Sequence, residues 1–166
     1  MPRLLPVTAA LAALLGFSPA QAATPADTLI VAISLDGVIS LDPAESFETV
    51  STGSLVDIYQ GLVAPDRQDP RKLVPALATG WQPGTSEHSL RFTLNPDARF
   101  AGGNPVTADD VIYSLSRVVK LNKTPSFILS EFGWTPENIG AQFTRYDDHQ
   151  LEIRWTSPIG RDLALR

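Results

Sequence analysis

The sequence predicts an α/β fold, because segments typical of strands and of amphipathic helices follow one another along the chain. Residues 28–34 form a short, continuous, β-branched run, which is typical of a buried strand. Leu90, Phe92 and Leu94 alternate with polar residues, as in a strand with one buried face. Residues 111–119 place apolar side chains at helical spacing. A length of 166 residues suits one ordinary domain of this class.

The composition is that of a folded, acidic protein. Of all residues, 43% are hydrophobic and 19% are charged, and 18 acidic residues outweigh 13 basic ones. The net charge of −5 argues against nucleic acid or an anionic membrane as the main partner. The chain has no cysteine, which excludes disulfides, thiolate metal sites and haem attachment through cysteine.

The first 22 residues are predicted to be a signal peptide that is not part of the fold. Arg3 supplies a positive charge, an apolar run rich in leucine and alanine ends at Phe17, and a small-x-small cleavage site ends at Ala22. We expect cleavage between Ala22 and Ala23. The alternative is a membrane anchor, but the apolar run is short and interrupted by prolines.

The cleavage region also predicts where the protein is found. A bacterial lipoprotein needs a cysteine to acylate at its new N-terminus, and this chain has none. Export without a lipid anchor predicts a soluble protein of the periplasm, with residues 23–166 as its mature part.

The predicted strand at 28–34 leads into a loop and then into a helix. Gly37 and Pro43 end regular structure in the loop. Gly61 is the expected stop of the helix. The apolar stripe of this helix consists of residues at i, i+3, i+4 and i+7, which are Leu55, Ile58, Tyr59 and Leu62.

Turns and a capped helix follow the alternating strand. Residues 95–96 and 102–105 are turn sequences. Thr107 is expected to cap a helix, and Asp110, three residues on, can reach back to it or face the helix dipole. One face of this helix carries Val111, Leu115, Val118 and Val119.

The remaining segments connect these elements. Residues 65–72 are polar and predict a surface connection. Residues 121–140 predict an irregular excursion, because proline and glycine interrupt its apolar residues. Its aromatic side chains have two open interpretations, which are packing in the core or at a sheet edge, and lining of a ligand cleft. Residues 142–155 predict a β-hairpin with a solvated turn at 147–149. In its second strand Leu151, Ile153 and Trp155 alternate with Glu152 and Arg154.

No pattern for catalysis or for metal binding is found. His88 and His149 are far apart in the sequence and do not form a metal-binding pair. Ser54 lacks the second glycine of a G-x-S-x-G nucleophile motif. Residues 102–105 lack the Lys-Ser/Thr of a phosphate-binding loop. We therefore expect no enzymatic activity, no cofactor and no metal site.

The residue pattern over 75–120 resembles the signature region of family 5 extracellular solute-binding proteins, the binding subunits of dipeptide, oligopeptide and nickel ABC importers. That family reads PxLAxxW, then a strand, then LRxGxxFxxGxPxTAxDVxxSLxR. The match runs in register over roughly 45 residues, which makes it specific. The matching residues are Pro75, Leu77, Ala78, Trp81, Phe92, Leu94, Phe100, Gly103, Pro105, Thr107, Ala108, Asp110, Val111, Ser114, Leu115 and Arg117.

Two shorter motifs also resemble the family. Residues 41–43 read LDP, and residues 59–62 read YQGL where the family has YEGL. The resemblance implies a fold like the periplasmic binding proteins of type II, in which two lobes close on a ligand. It further implies that residues 23–166 form only the N-terminal part of lobe one, and that most of a family-length chain is missing.

The resemblance implies the function as well. A periplasmic substrate-binding component would capture a small solute, a peptide or a related compound, and deliver it to ABC permease subunits in the inner membrane. A monomer without a cofactor is expected. The alternatives are a truncated fragment that binds nothing, or a secreted interaction module, with an exported hydrolase as a third. The identity of the ligand stays open.

Candidate ligand residues are expected where the first strand ends. In open α/β sheets ligands bind beyond the carboxyl ends of strands, and in proteins of this family two such segments often border the cleft. The first segment contributes a carboxylate that could meet a peptide amine, although a turn residue capping local N–H groups is an equal alternative for it. The candidates in the first segment are Asp36, Gly37 and Val38, and those in the following loop are Phe47, Thr49 and Ser51.

Overall fold

The computed structural model describes residues 24–32 and 34–165. The chain divides into two units, of which the first ends at Ile33 and the second begins at Ser34. In the first unit the described residues form one turn and otherwise irregular backbone. The expected signal peptide and its cleavage site between Ala22 and Ala23 lie outside the described residues.

The predicted strand over 28–34 is wrong for the residues that the structure describes. Residues 28–32 have no strand structure, and Leu29 and Ile30 are 86% and 69% exposed. A strand needs a neighbour for its backbone N–H and C=O groups, and no described residue pairs with this segment. The β-branched run therefore has a composition typical of a strand, but it forms no strand because no described residue pairs with it.

The second unit begins with turns and helix α1, Thr49–Ile58. The helix is confirmed, but it ends before Gly61, because Tyr59 is extended and its N–H donates to the Leu55 carbonyl at 2.8 Å. Of the predicted apolar stripe only Leu55 is buried, whereas Ile58 and Tyr59 are mostly exposed. The stripe is thus not a core-facing surface in this structure.

A two-stranded antiparallel ribbon follows, made of β1 (Val63–Pro65) and β2 (Leu73–Pro75). Its loop is the polar segment at 65–72, where the Asp66 carboxylate accepts hydrogen bonds from two backbone N–H groups of the loop. The surface connection is confirmed. The two strands were not predicted, because three residues are too few to show a period-two pattern.

A four-stranded sheet forms the centre of the second unit. Its strands are β3 (Ala78–Pro83), β4 (Ser89–Leu94), β5 (Phe143–Arg145) and β6 (Gln150–Arg154). Their order is β3-β4-β6-β5, and every described pair is antiparallel. The alternating strand and the hairpin predicted from the sequence are β4, β5 and β6.

The two central strands place their apolar residues opposite each other. Phe92 pairs with Leu151, and Leu90 pairs with Ile153. All four of these side chains are at most 8% exposed, so this face of the two central strands is buried. Cross-strand pairs of large apolar residues are the main stabilising contacts of an antiparallel sheet.

Helix α2, Ala108–Leu121, packs against this sheet and has the predicted cap. The Asp110 carboxylate accepts hydrogen bonds from the backbone N–H and the hydroxyl of Thr107, both at 2.8 Å. Val111 and Val119 are buried, and Asn122 ends the helix in the left-handed region with φ 49°. Thr107 and Asp110 therefore cap the N-terminus of the helix, and Asn122 ends it.

Short helices complete the second unit. They are α3 (Ser126–Ser130), a 3-10 helix (Ile139–Gln142) and α4 (Arg161–Ala164). The architecture is mixed α/β, which confirms the predicted fold class. Within residues 24–32 and 34–165, no helix has the length and apolar composition needed to cross a bilayer. The core consists of Ala78, Leu90, Phe92, Leu94, Ala108, Val111, Val119, Trp134, Ile139, Leu151, Ile153 and Trp155.

Candidate functional site

All six candidate ligand residues lie in one segment, residues 34–59, which we call the arm. Its first part is a turn in which the Val38 N–H donates to the Leu35 carbonyl at 3.0 Å. Asp36 is exposed, and Gly37 and Val38 are half-buried. Among the described residues none is seen to donate a hydrogen bond to the Asp36 carboxylate.

The candidates of the following loop differ in accessibility. Phe47 is 46% exposed, and Thr49 is exposed at the start of α1. Ser51 is fully buried, and its hydroxyl has no hydrogen-bond partner within the part of the chain that the structure describes. Phe47 and Thr49 are therefore accessible to solvent, whereas Ser51 is covered in this conformation.

Asp42 and Arg117 form a bidentate ion pair between the arm and α2. Arg117 Nη1 donates to Asp42 Oδ1 at 2.7 Å, and Nη2 donates to Oδ2 at 2.5 Å. The hydrogen bonds from the Arg117 guanidinium and from the Ala44 N–H hold the pKa of Asp42 below its usual value. The sequence contains both residues in family motifs, LDP and SLxR, but it does not show that they meet.

The same carboxylate shapes the loop that leads into α1. Asp42 Oδ1 also accepts a hydrogen bond from the Ala44 N–H at 2.9 Å, and the Asp42 carbonyl accepts from the N–H groups of Glu45 and Ser46 at 3.0 Å. Ala44 and Ser46 are 2% and 5% exposed. Asp42 thus stabilises a compact turn as well as the ion pair.

The aromatic residues of the excursion at 121–140 differ in their surroundings. Trp134 is 5% exposed, and its indole Nε1 donates to the Arg154 carbonyl at 2.8 Å, so it packs in the core. Phe127 is 52% exposed and contacts Phe47 of the arm edge-to-face, with ring centroids 5.1 Å apart. Phe127 is one of the aromatic residues for which the sequence left a cleft-lining role open, and it is a neighbour of the candidate residue Phe47.

A charged cluster on the sheet was not expected from the sequence. Glu152 alternates with apolar residues in β6, yet it is completely buried. Its carboxylate accepts hydrogen bonds from the Thr85 N–H at 3.0 Å, the Thr85 hydroxyl at 2.5 Å and the Tyr146 hydroxyl at 2.8 Å. The guanidinium groups of Arg91 and Arg154 each lie 3.6 Å from it.

The surroundings of Glu152 determine its charge. Burial alone would raise the pKa of Glu152, but the hydrogen bonds from Thr85 and Tyr146 outweigh burial and lower the pKa to about 2. The loop before β4 approaches so closely that a Cβ on Gly84 would lie 2.8 Å from the Glu152 carboxyl carbon. This cluster ties the loop before β4 to the sheet through hydrogen bonds from Thr85.

An apolar cavity of about 250 Å³ adjoins the core. All its lining residues are hydrophobic, so it offers no acid, base or nucleophile. They are Leu62, Val63, Leu90, Phe92, Leu115, Leu129, Phe132, Trp134, Ile153, Trp155, Ala164 and Leu165. In the described ranges, no three histidine, aspartate or glutamate side chains lie close enough to hold a metal ion.

Solved structures of periplasmic peptide-binding proteins share this fold. The Escherichia coli murein tripeptide binding protein MppA matches with a TM-score of 0.65 and 29% identity, over 76% of this chain and 26% of that one. OppA of Burkholderia pseudomallei matches with a TM-score of 0.61 and 25% identity, over the same shares.

Curated relatives agree with the structures. The periplasmic murein peptide-binding protein MppA of Escherichia coli is 32% identical over 142 residues, which is 75% of this chain and 25% of the relative. The dipeptide-binding protein DppE of Bacillus subtilis is 30% identical over 128 residues, 72% of this chain and 23% of the relative. The chain spans about a quarter of the length of these relatives.

More than half of the chain matches one protein family directly. Residues 72–165 match the bacterial extracellular solute-binding proteins, family 5 Middle. The chain belongs to this family, which confirms the resemblance seen in the sequence.

Proposed function

We propose that this chain is part of the substrate-binding component of a peptide-type ABC importer in the periplasm. The observation that carries the proposal is the family match over residues 72–165, which includes β4, α2 and β6. The names of relatives support a peptide as the ligand, because MppA is described as binding murein peptide and DppE as binding dipeptide. Since the family is one of solute-binding proteins, we propose that this protein binds its solute without converting it.

The mechanism that we propose is capture between two lobes. Residues 23–166 supply the N-terminal part of one lobe, and the arm borders the cleft with Asp36, Gly37, Val38, Phe47 and Thr49. The Asp36 carboxylate, open to solvent, would accept hydrogen bonds from the cationic amine of a peptide. Ser51, the sixth candidate, is buried and would not contact the ligand in this conformation. A closed monomer would then dock to permease subunits of the inner membrane.

Calorimetry tests the ligand class. The protein encoded by the whole gene is titrated with tri-alanine and with the murein tripeptide, and we expect saturable heat with a dissociation constant of about 1 μM or below for at least one of them. Free alanine serves as the control and should give no saturable heat. Flat titrations with both peptides from a folded protein would contradict a peptide ligand.

Mass spectrometry tests the export proposal. Protein recovered from the periplasm is expected to begin at Ala23, because signal peptidase cleaves after a small-x-small sequence. An Ala22→Arg substitution should block this cleavage and leave the precursor in the membrane fraction. Recovery of the unsubstituted protein with Met1 retained would show that residues 1–22 are not a cleaved signal.

A further inference from the structure

The arm has few specific contacts with the rest of the second unit. Hydrogen bonds within the arm run between neighbouring residues, such as Ser40 with Asp42 and Glu48 with Ser46. Among the described residues, the hydrogen bonds between the arm and the rest of the second unit are the two that the Arg117 guanidinium donates to the Asp42 carboxylate. The four buried residues of the arm all lie outside the main core cluster; they are Ala44, Ser46, Ser51 and Leu55. The position of the arm therefore depends strongly on this ion pair.

The geometry of the pair fixes orientation as well as distance. Two parallel N–H···O bonds of 2.7 and 2.5 Å place the guanidinium and the carboxylate in a planar fork. The side chains of Asp42 and Arg117 are only about one-third exposed, at 30% and 33%. A lysine at 117 would keep the charge but could not form both bonds, because an ammonium group is a point charge.

Contacts on either side of Asp42 carry this orientation along the arm. Its Oδ1 accepts a hydrogen bond from the Ala44 N–H. Its carbonyl accepts hydrogen bonds from the N–H groups of Glu45 and Ser46, in the turn that leads into α1. Five residues beyond Asp42, the Phe47 ring rests on Phe127 of α3. An ion pair and an aromatic contact thus attach the arm to two different helices.

We propose that Arg117 is a positioning residue for the ligand site, which together with Asp42 holds the arm, and with it Phe47 and Thr49, in a fixed place on α2. The ligand part of this inference rests on the proposed function, whereas the attachment of the arm requires no ligand. Arg117 itself lies in the body of the lobe and acts through Asp42.

Hydrogen–deuterium exchange of the chain without ligand tests the attachment. In Asp42→Asn and in Arg117→Gln, amides of residues 43–58 should exchange about tenfold faster, because the arm then detaches more often. Amides of β4 and β6 should keep their exchange rates. The double variant should exchange no faster than either single variant, since both remove the same interaction.

Two further variants separate positioning from general loss of structure. Arg117→Lys should give an intermediate rate, as partial rescue by the retained charge. Lys120→Gln, which removes an exposed cation from the same helix, should leave the arm unchanged. Unchanged exchange of the arm in Arg117→Gln, or equal loss of protection in β4 and β6, would overturn the proposal.

The same variants in the whole protein test the consequence for binding. Arg117→Gln should weaken binding of tri-alanine or of the murein tripeptide about tenfold relative to the unsubstituted protein, and Lys120→Gln should not. If the exchange result holds but the unsubstituted protein binds neither peptide, the proposed function fails and the attachment of the arm stands. If both variants bind as well as the unsubstituted protein, Arg117 does not position the ligand site.

Discussion

Replacing Glu152 with glutamine is expected to lower the free energy of unfolding by about 3 kcal/mol. The carboxylate is fully buried and accepts three hydrogen bonds from Thr85 and Tyr146. A glutamine would keep one acceptor oxygen but would place an NH₂ group against these donors. It would also leave Arg91, whose Nε already has no partner among the described residues, without a nearby negative charge. Urea denaturation followed by circular dichroism measures the loss.

The pH dependence identifies the source of this stability. Because folding lowers the pKa of Glu152 from 4.5 to about 2, its contribution is complete above pH 4.5 and is lost as the pH falls towards 2. The shift corresponds to about 3 kcal/mol of stability near neutral pH. The unsubstituted protein should therefore lose more stability over this acidic window than Glu152→Gln does.

Glu87 offers the matched control. It lies in the loop before β4, near Thr85, but its side chain faces solvent. Glu87→Gln removes the same charge and should change the free energy of unfolding by less than about 0.5 kcal/mol. Equal effects of Glu87→Gln and Glu152→Gln would mean that net charge, and not the buried cluster, controls stability.

The sequence could predict the elements whose pattern is long and local. Strand β4 shows three clear alternations, and α2 combines an apolar face with a cap that needs only Thr107 and Asp110, three residues apart. For these segments, local propensity and burial favour the same structure. The mixed α/β class follows from them.

The buried glutamate could not be predicted, because its partner is distant. Glu152 occupies a polar position of an alternating strand, which normally faces solvent. The loop that covers it comes from Thr85, 67 residues earlier. No local pattern shows which face of a sheet a loop will cover, so this cluster was found only in the structure.

The ligand-binding role of the candidate residues stays a prediction, but the structure shows how these residues are arranged. The sequence placed the candidates in two neighbouring segments, and the structure puts them in one arm, with Ser51 buried and Phe47 open. The link from Asp42 to Arg117 spans 75 residues and was missed, although both residues belong to matched motifs. The first strand was predicted wrongly for residues 28–32. A β-branched run shows a preference for strand structure, but it does not show whether a neighbouring strand is present to pair with it.

Replacing Trp134 with alanine is expected to cost about 4 kcal/mol of stability, the largest loss for a single core side chain of the excursion. Its indole stacks on Phe132 with centroids 5.1 Å apart and meets Phe143 edge-to-face at 5.7 Å. Its Nε1–H donates a hydrogen bond to the Arg154 carbonyl at 2.8 Å, which links the excursion to β6. Alanine would leave a cavity and an unpaired carbonyl. Circular dichroism in urea is the suitable measurement, because the substitution removes one of three tryptophan fluorophores.

Two variants separate the contributions of Trp134. Trp134→Phe keeps a stacked ring but not the N–H, and should lose about 1 to 2 kcal/mol. Ile128→Ala, on the exposed side of the same excursion, should lose less than about 1 kcal/mol, since Ile128 is 43% exposed. If Trp134→Ala left stability unchanged and instead weakened peptide binding, Trp134 would belong to a ligand cleft. The hydrogen bond to β6 and the 5% exposure favour the core, because a cleft residue must leave a face open to its ligand.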